Sequence, residues 1–188
     1  MARGKIIVIS GPSGAGKTTI CREMGANPRF RIPVTATTRP PRENEKDGID
    51  YHFLTKEQFE NKIASGELLE YAKILGHYYG SLRKPVEEAV SSGQTCLLNI
   101  DIQGAETLRK KGLDATFVFL VPPDMDTLRS RLEDRGTENS ASVGKRLKLA
   151  RAEMQKKGQY DYIVVNDTIA RAVQEIKDIV FSESKSSQ

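Results

Sequence analysis

The N-terminal part of the chain joins a short apolar run to a glycine-rich loop. Residues 5–10 read Lys-Ile-Ile-Val-Ile-Ser, and residues 11–18 read Gly-Pro-Ser-Gly-Ala-Gly-Lys-Thr. The second segment has the pattern G-x-x-x-x-G-K-[ST], and it lies between a predicted strand and a predicted helix at residues 19–24. Glycines let such a backbone curl with its N–H groups pointing inward, where they can hold phosphate oxygens. The sequence therefore predicts a phosphate-binding loop.

Several parts of this loop can contact a nucleotide. Lys17 supplies a mobile positive charge for the outer phosphates, and the Thr18 hydroxyl is a predicted ligand of Mg²⁺. The N-terminus of the following helix adds positive potential at the same place. The predicted phosphate contacts in the loop, which become contacts of ATP through the resemblance described below, are Gly11, Pro12, Ser13, Gly14, Ala15, Gly16, Lys17 and Thr18.

Composition limits the class of protein further. The chain has 188 residues, of which 38% are hydrophobic and 29% charged, which suits one domain with a buried core. No apolar run approaches the roughly 20 residues of a membrane span, and no signal peptide fits the start, so we expect a cytoplasmic protein without a membrane partner. The net charge is +4, but the basic residues form no stripe interleaved with aromatic residues, so we expect no nucleic-acid partner.

Cysteine and histidine usage argues against a zinc site. Cys21 and Cys96 fall in a predicted helix and a predicted strand, where buried, reduced thiols are expected. His52 and His77 are far apart and match no zinc-ligand spacing.

Apolar runs recur along the chain at the spacing of an α/β protein. The predicted strands cover residues 5–10, 95–101, 115–121 and 162–165. They show little polar alternation, as expected for strands covered on both faces of a parallel sheet. The later predicted helices cover residues 103–111, 124–135, 142–157 and 169–181. This order predicts an α/β fold with a parallel sheet flanked by helices.

Residues 33–81 interrupt the alternation of strands and helices. They are rich in turn residues, tyrosine and histidine. Thr55 and Gln58 form a capping box at the start of a predicted helix that stops at Gly66. We interpret this region as a small insert of short strands and one helix that holds a ligand beside the phosphate-binding loop.

Two arginines in the insert form a candidate anion site. Arg39 and Arg42 lie in Thr-Thr-Arg-Pro-Pro-Arg, three residues apart. Guanidinium groups match phosphate oxygens in a bidentate manner, so this pair can hold one phosphate from two sides. Taken alone, the pair is more typical of two solvated surface arginines.

Further short motifs follow in order along the chain. They are Gly-x-Asp-Tyr-x-Phe at 48–53, Glu-Leu-Leu-Glu-Tyr at 67–71, Tyr-Tyr-Gly-Ser at 78–81, Asn-Ile-Asp-Ile-Gln-Gly at 99–104, Arg-Leu-Glu-Asp-Arg-Gly-Thr-Glu at 131–138, Lys-Arg-Leu at 145–147 and Val-Asn-Asp at 165–167. Each is weak alone, but together with the loop and the arginine pair they resemble guanylate kinase over nearly the whole chain. That family of P-loop nucleoside monophosphate kinases transfers a phosphoryl group from ATP to GMP.

The resemblance implies a role for each matching residue. The implied GMP contacts are Thr35, Arg39, Arg42, Tyr51, Glu70, Tyr79, Ser81 and Asp101. Among them Arg39, Arg42, Tyr51 and Tyr79 would clamp the phosphate. Glu70 can accept from the N1–H and the 2-amino group of guanine, which adenine lacks, so the carboxylate supports discrimination on chemical grounds as well.

The resemblance also implies a helical lid, ATP and Mg²⁺. Arg131 and Asn166 would contact ATP, whereas Lys17, Arg42, Arg135 and Arg146 would be catalytic. Thr18 and Asp101 would hold the metal. The expected division of the single domain is a core at residues 4–32, 82–124 and 160–182, a GMP-binding insert at 33–81 and a lid at 125–159. We expect GMP, and dGMP as well, to be the acceptor, and the protein to be a monomer or a small homo-oligomer.

Three departures and two alternatives stay open at this point. Asn99 stands where many family members carry aspartate, Thr35 where serine is common, and the segment from Lys17 to Arg39 is about two residues short. The alternatives are a non-catalytic guanylate kinase-like module that binds phosphopeptides and a P-loop kinase or NTPase with another acceptor. ATP turnover against a panel of acceptors discriminates among them.

Overall fold

The computed structural model describes residues 3–133 and 140–182, with only the backbone of residues 140–142. The strands, in chain order, are β1 Ile6–Ser10, β2 Phe30–Arg31, β3 Ala36–Thr37, β4 His52–Phe53, β5 Leu68–Ile74, β6 His77–Leu82, β7 Thr95–Asn99, β8 Thr116–Val121 and β9 Tyr162–Val165. The helices are α1 Lys17–Gly25, α2 Lys56–Ala64, α3 Arg83–Ser91, α4 Ile102–Lys110, α5 Met125–Glu133, α6 Ser140–Met154 and α7 Ile169–Ser182.

The main sheet is parallel and has β1 at its centre. Its strand order is β2-β7-β1-β8-β9, and every pairing within it is parallel. Parallel strands end at the same edge, so the loop after β1 lies beside the residues that follow β7 and β8. This sheet confirms the predicted α/β class, although β2 was missed and β7 ends at Asn99, two residues before the predicted end.

Alternate side chains of β1 pack on opposite faces of the main sheet. Ile7 and Ile9 belong to the core that includes residues of α1 and α7, whereas Val8 belongs to the core that includes residues of α3 and α4. Burial on both faces explains why the strand sequence is continuously apolar. Cys21 and Cys96 lie in these two cores as free, buried thiols, as the sequence predicted.

A second, smaller sheet is built from the region that interrupts the alternation. Its order is β4-β3-β6-β5, and α2 packs on it through Phe59. The predicted capping box is present, because the Thr55 side chain accepts from the Gln58 backbone and the Gln58 side chain accepts from Thr55. The β5–β6 hairpin turns through Leu75 and Gly76, both with positive φ, as a two-residue type I′ turn requires.

Helices α5 and α6 pack together through a small apolar cluster of their own. Leu128 and Leu132 of α5 meet Val143 and Leu147 of α6. The sequence predicted one helix over residues 142–157, but α6 begins at Ser140 and gives way after Met154 to a 3-10 helix over Gln155–Gln159. Within the described part of the chain, no helix has the length and apolarity that crossing a membrane requires.

Candidate functional site

The loop between β1 and α1 is held in shape by close neighbours. Gly16 forms the N-cap of α1 with a φ of 94°, and a Cβ at this position would collide with the side-chain amide of Asn166. That same amide donates a 2.8 Å hydrogen bond to the carbonyl oxygen of Ala15. Gly11, at the start of the loop, has no room for a Cβ because the Leu120 carbonyl lies against it. The conformation of the loop therefore depends on β8 and the end of β9.

Lys17 reaches across this loop. Its Nζ donates to the carbonyl oxygens of Gly11 at 2.6 Å and Pro12 at 3.1 Å. The ammonium thus lies at the mouth of the curled backbone, where outer phosphates were expected. The structure brings Lys17 and the loop residues together as the sequence predicted.

The two residues predicted to hold a divalent cation lie after β7 and at the start of α1. The Asn99 side-chain amide donates to the Thr18 hydroxyl at 3.3 Å. Asp101, two residues after Asn99, caps α4 by accepting from the Gly104 N–H at 2.6 Å, while its other oxygen, Oδ2, is buried with no hydrogen-bond partner in the described residues. A buried carboxylate oxygen without a partner and a hydroxyl group are of the ligand types that a hard cation such as Mg²⁺ takes.

Burial dominates the electrostatics of Asp101. It raises the pKa of Asp101 above its ordinary value, against the opposing effects of the Gly104 N–H and the charge of Lys17. A bound cation would favour the charged form of the Asp101 carboxyl in the same way as the charge of Lys17 does, but more strongly.

A row of polar side chains crosses the second sheet. Glu70 on β5 is paired with Ser81 on β6, and the register that pairs Ala36 with Gly80 places Thr35 opposite Ser81. The Ser81 hydroxyl donates to Glu70 Oε1 at 2.7 Å. Both side chains are buried, with Glu70 only 3% exposed. The structure thus brings Glu70 and Ser81 into contact, and the register extends to Thr35, the third residue predicted to contact guanine.

The Glu70 carboxyl is strongly perturbed by this setting. Burial raises its pKa from 4.5 to about 7, while the Ser81 hydroxyl and the charge of Lys111 lower it and the charge of Asp101 raises it. Helix α4 also lies close to the carboxylate, since a Cβ on Gly104 would collide with Glu70 Oε2. The pocket is therefore closed on one side by the backbone of α4.

The predicted phosphate clamp is assembled around Arg39. The guanidinium lies 5.6 Å from the centroid of the Tyr51 ring, which is itself 6.1 Å from the Tyr79 ring. One Arg39 nitrogen donates to both carboxylate oxygens of Glu45 at 2.8 Å. Arg42 lies 3.8 Å from the same carboxylate, and its side chain is 58% exposed. These four predicted residues share one site, which is open at Arg42.

Two of the arginines predicted to lie in a lid can be placed, and one cannot. Arg131 on α5 donates from one guanidinium nitrogen to the Asn166 carbonyl at 3.0 Å, and its Nη1 is buried with no hydrogen-bond partner among the described residues. Arg146 lies on α6 and is half-buried. Arg135 lies outside the described residues. The Asn166 side chain supports the phosphate-binding loop, and its predicted contact with ATP stays a prediction.

Comparison with known proteins identifies the family. Residues 3–183 match the sequence profile described as guanylate kinase. The chain belongs to the guanylate kinase family. This confirms the resemblance that the motifs indicated, and with it the expected class of enzyme, an ATP:GMP phosphotransferase.

Individual relatives agree with the family assignment. The chain is 46% identical over 182 residues to a guanylate kinase of Symbiobacterium thermophilum, covering 96% of this chain and 86% of that protein. It is also 46% identical over 183 residues to a guanylate kinase of Latilactobacillus sakei, with 96% and 90% covered. The crystal structure of guanylate kinase from Anaplasma phagocytophilum superposes with a TM-score of 0.81 at 33% identity, covering 97% of this chain and 87% of that one.

Sequence reasoning missed Glu45, which organises the arginine pair. Partial burial alone would raise the pKa of Glu45, but the Arg42 backbone N–H and the Arg39 guanidinium lower it overall. The carboxylate accepts from the Arg42 backbone N–H at 2.8 Å as well. An acidic residue three positions after Arg42 was a local signal that could have indicated this contact.

Glu153 on α6 was also missed. Burial raises its pKa, against the opposing effects of the Lys17 charge and a hydrogen bond from the Ser13 backbone. Its Oε2 is buried and has no hydrogen-bond partner in the described part of the chain. A carboxylate of α6 therefore lies against the phosphate-binding loop. Nothing local in the charged sequence of α6 distinguishes Glu153 from a solvated glutamate.

Proposed function

We propose that the chain transfers the γ-phosphoryl group of ATP to GMP, with ATP on the loop between β1 and α1 and GMP on the second sheet. The observation that carries this assignment is the buried Glu70 carboxylate, which accepts a hydrogen bond from the Ser81 hydroxyl. A buried carboxylate beside hydroxyl groups matches the donors and acceptors of guanine.

In this proposal Glu70 accepts from the N1–H and 2-amino groups of GMP. The hydroxyls of Thr35 and Ser81 supply donors for the base acceptors. Adenine carries neither N1–H nor the 2-amino group, so with AMP the buried carboxylate would be left poorly paired. Leaving a buried charged group without partners is what rejects the wrong substrate.

The GMP phosphate is bound by the arginine pair. Glu45 and the aromatic rings of Tyr51 and Tyr79 hold Arg39 in place, and Arg42 is exposed beside it. The charge of Asp101 raises the pKa of the Glu70 carboxyl. Asp101 is the last of the proposed GMP contacts.

Phosphoryl transfer needs positioning and positive charge more than covalent help from the protein. Loop N–H groups and Lys17 hold the β- and γ-phosphates, and Arg131 and Asn166 act on the ATP side. Arg42, Arg135 and Arg146 stabilise the charge on the transferred group. Mg²⁺, held by Thr18 and Asp101, would supply further neutralisation of the phosphates when bound.

The remaining parts of the proposal concern organisation and setting. A core at residues 4–32, 82–124 and 160–182 would carry an insert at 33–81 and a lid at 125–159, which close together and exclude water. The protein would work in the cytoplasm as a monomer or small homo-oligomer, with dGMP as a second acceptor and without nucleic-acid or membrane partners.

An acceptor panel tests the activity directly. ADP release is measured with GMP, dGMP, AMP, UMP and dTMP, and turnover with GMP is expected to exceed that with AMP by orders of magnitude. Equal or greater turnover with AMP would overturn the guanine assignment, and absence of ATP turnover would favour the phosphopeptide-binding module. Lys17→Ala is the matched variant, expected to lose turnover while its GMP affinity is retained.

The role of Glu70 has its own test. Because the carboxyl of the ligand-free protein ionises at a pKa of about 7 and binds guanine as the carboxylate, GMP affinity should rise as the pH increases from 6.5 to 8. Titration calorimetry should find this rise in the parent chain and not in Glu70→Gln, whose GMP affinity should be lower at every pH. A variant that loses ATP affinity but keeps GMP affinity contradicts the assignment.

A further inference from the structure

The pairing of β5 with β6 is irregular beside the proposed guanine pocket. Its pairing with β6 joins Leu68 to Leu82 and then Glu70 to Ser81, so two steps along β5 match one step along β6. This is a β-bulge in which Leu69 is the extra residue. All of Leu68, Leu69 and Glu70 are buried, whereas a regular strand sends successive side chains to opposite faces.

The bulge directs these consecutive side chains to different parts of the molecule. Leu68 packs with Phe59 in the core of the second sheet. Leu69 packs in the core beside the main sheet, which includes Leu108 of α4. Glu70 meets the Ser81 hydroxyl. The position of the carboxylate therefore depends on the bulge keeping one conformation.

Lys111 holds the bulge from the end of α4. It is the C-cap residue of that helix, and its Nζ donates a 2.9 Å hydrogen bond to the Leu69 carbonyl oxygen. A bulge disrupts the ladder locally, so a carbonyl there needs a partner from outside the sheet. Gly104, seven residues earlier on the same helix face, is the residue whose backbone lies against the Glu70 carboxylate.

We propose that Lys111 is a positioning residue for guanine recognition, which caps the Leu69 carbonyl and thereby fixes the Glu70 carboxylate in the pocket. This inference rests on the proposed role of Glu70 as the group that accepts the guanine N–H donors. Lys111 acts through the main chain of β5 and not by contact with either nucleotide. Its positive charge also lowers the pKa of Glu70 against the effect of burial.

The test compares GMP and ATP affinities of Lys111 variants by titration calorimetry. Lys111→Met removes the ammonium and keeps an unbranched chain, and the GMP dissociation constant should rise about tenfold, as for the loss of one charged hydrogen bond. Lys111→Arg keeps a charged donor and should restore most of the affinity. Lys110→Met, on the exposed neighbour, is the control and should change nothing. ATP affinity should stay the same in all three variants.

Glu70→Gln separates this inference from the proposed function. If Glu70→Gln alone leaves GMP affinity intact, the role of Glu70 is wrong. If it weakens GMP binding but Lys111→Met does not, only the role of Lys111 is wrong. When Lys111→Met is added to Glu70→Gln, no further loss is expected, because Lys111 acts through the carboxylate.

A merely structural role for Lys111 predicts different results. An equal loss of ATP affinity, or a full tenfold loss in the Glu70→Gln background, overturns the inference. If Lys111→Met does not fold, Lys111→Gln and Lys111→Arg replace it. We then expect Lys111→Arg to keep its GMP affinity and Lys111→Gln to lose it. Equal GMP affinities of these two variants overturn the proposal.

Discussion

The buried Glu70 carboxylate should make the protein less stable than its glutamine variant at neutral and alkaline pH. Burial raises the pKa of Glu70 from 4.5 to about 7, because the charged form loses its water, although the Ser81 hydroxyl opposes this. The unfolded carboxyl ionises near the lower value, so the folded chain binds more protons between the two values. The stability contributed by the neutral carboxyl is therefore fully present below pH 4.5 and is lost as the pH rises through 7.

The size of the effect follows from this difference in pKa. At about 1.4 kcal/mol per pKa unit, ionising Glu70 in the folded state costs about 3 kcal/mol. Glu70→Gln removes the charge and keeps an oxygen that accepts from Ser81. Its free energy of unfolding should exceed that of the parent chain by about 3 kcal/mol at pH 8.5 and by about 1 kcal/mol at pH 5.5.

Urea unfolding at a series of pH values measures this difference. The chain contains no tryptophan, so far-UV circular dichroism is the suitable signal. Glu67→Gln is the matched control, because Glu67 is exposed and hydrogen bonds from Lys62 and Ser65 lower its pKa, so this variant should show no gain. A Glu70→Gln chain that is less stable than the parent at pH 8.5, or a difference independent of pH, would refute the reasoning.

Three further predictions follow from single contacts. Gly104→Ala should weaken GMP binding, because the added methyl group displaces the Glu70 carboxylate. The midpoint of urea unfolding should change little, because alanine suits a helix. A lower midpoint with unchanged GMP affinity contradicts this prediction. Glu153→Gln should tighten ATP binding several-fold in calorimetry, since the carboxylate beside the loop repels phosphate, and weaker ATP binding counts against it. Burial raises the pKa of both Cys21 and Cys96 to about 12, so neither should react with a thiol reagent at pH 8 before unfolding, and rapid labelling of the native chain would be inconsistent.

Local patterns were sufficient for much of the fold. The loop from Gly11 to Thr18 could be predicted because its glycines and Lys17 act within one strand-turn-helix unit. The capping box at Thr55 is likewise a contact between residues three positions apart. The errors were of two kinds. The predicted end of β7 lies two residues too far along the chain, and α6 was predicted to run through the 3-10 helix that follows Met154; β2, whose two residues carry no periodicity, and α3 were not predicted.

Long-range contacts set the limits of prediction at the site. The side-chain amide of Asn166 donates a hydrogen bond to the carbonyl oxygen of Ala15, 151 positions away along the chain, and no local pattern could have indicated this support of the loop. Gly104 was noted only as the end of a motif and Glu153 was not noted at all, since the contact that each makes is with another element. Glu45 differs from them, because its partners lie three and six residues away and a local reading could have found it.

The sequence by itself determined the class of the protein: a phosphate-binding loop, an α/β fold, and motifs whose order resembles guanylate kinase. These follow from local chemistry and from the spacing of residues along the chain, and neither requires knowledge of how the chain packs. Only the tertiary structure decided the environment of Glu70. Glu70 is buried where β5, β6 and α4 meet, and this burial raises its pKa. At the same place Lys111 caps the neighbouring carbonyl. The exclusion of solvent that causes the shift needs all three segments, so none of them encodes it alone.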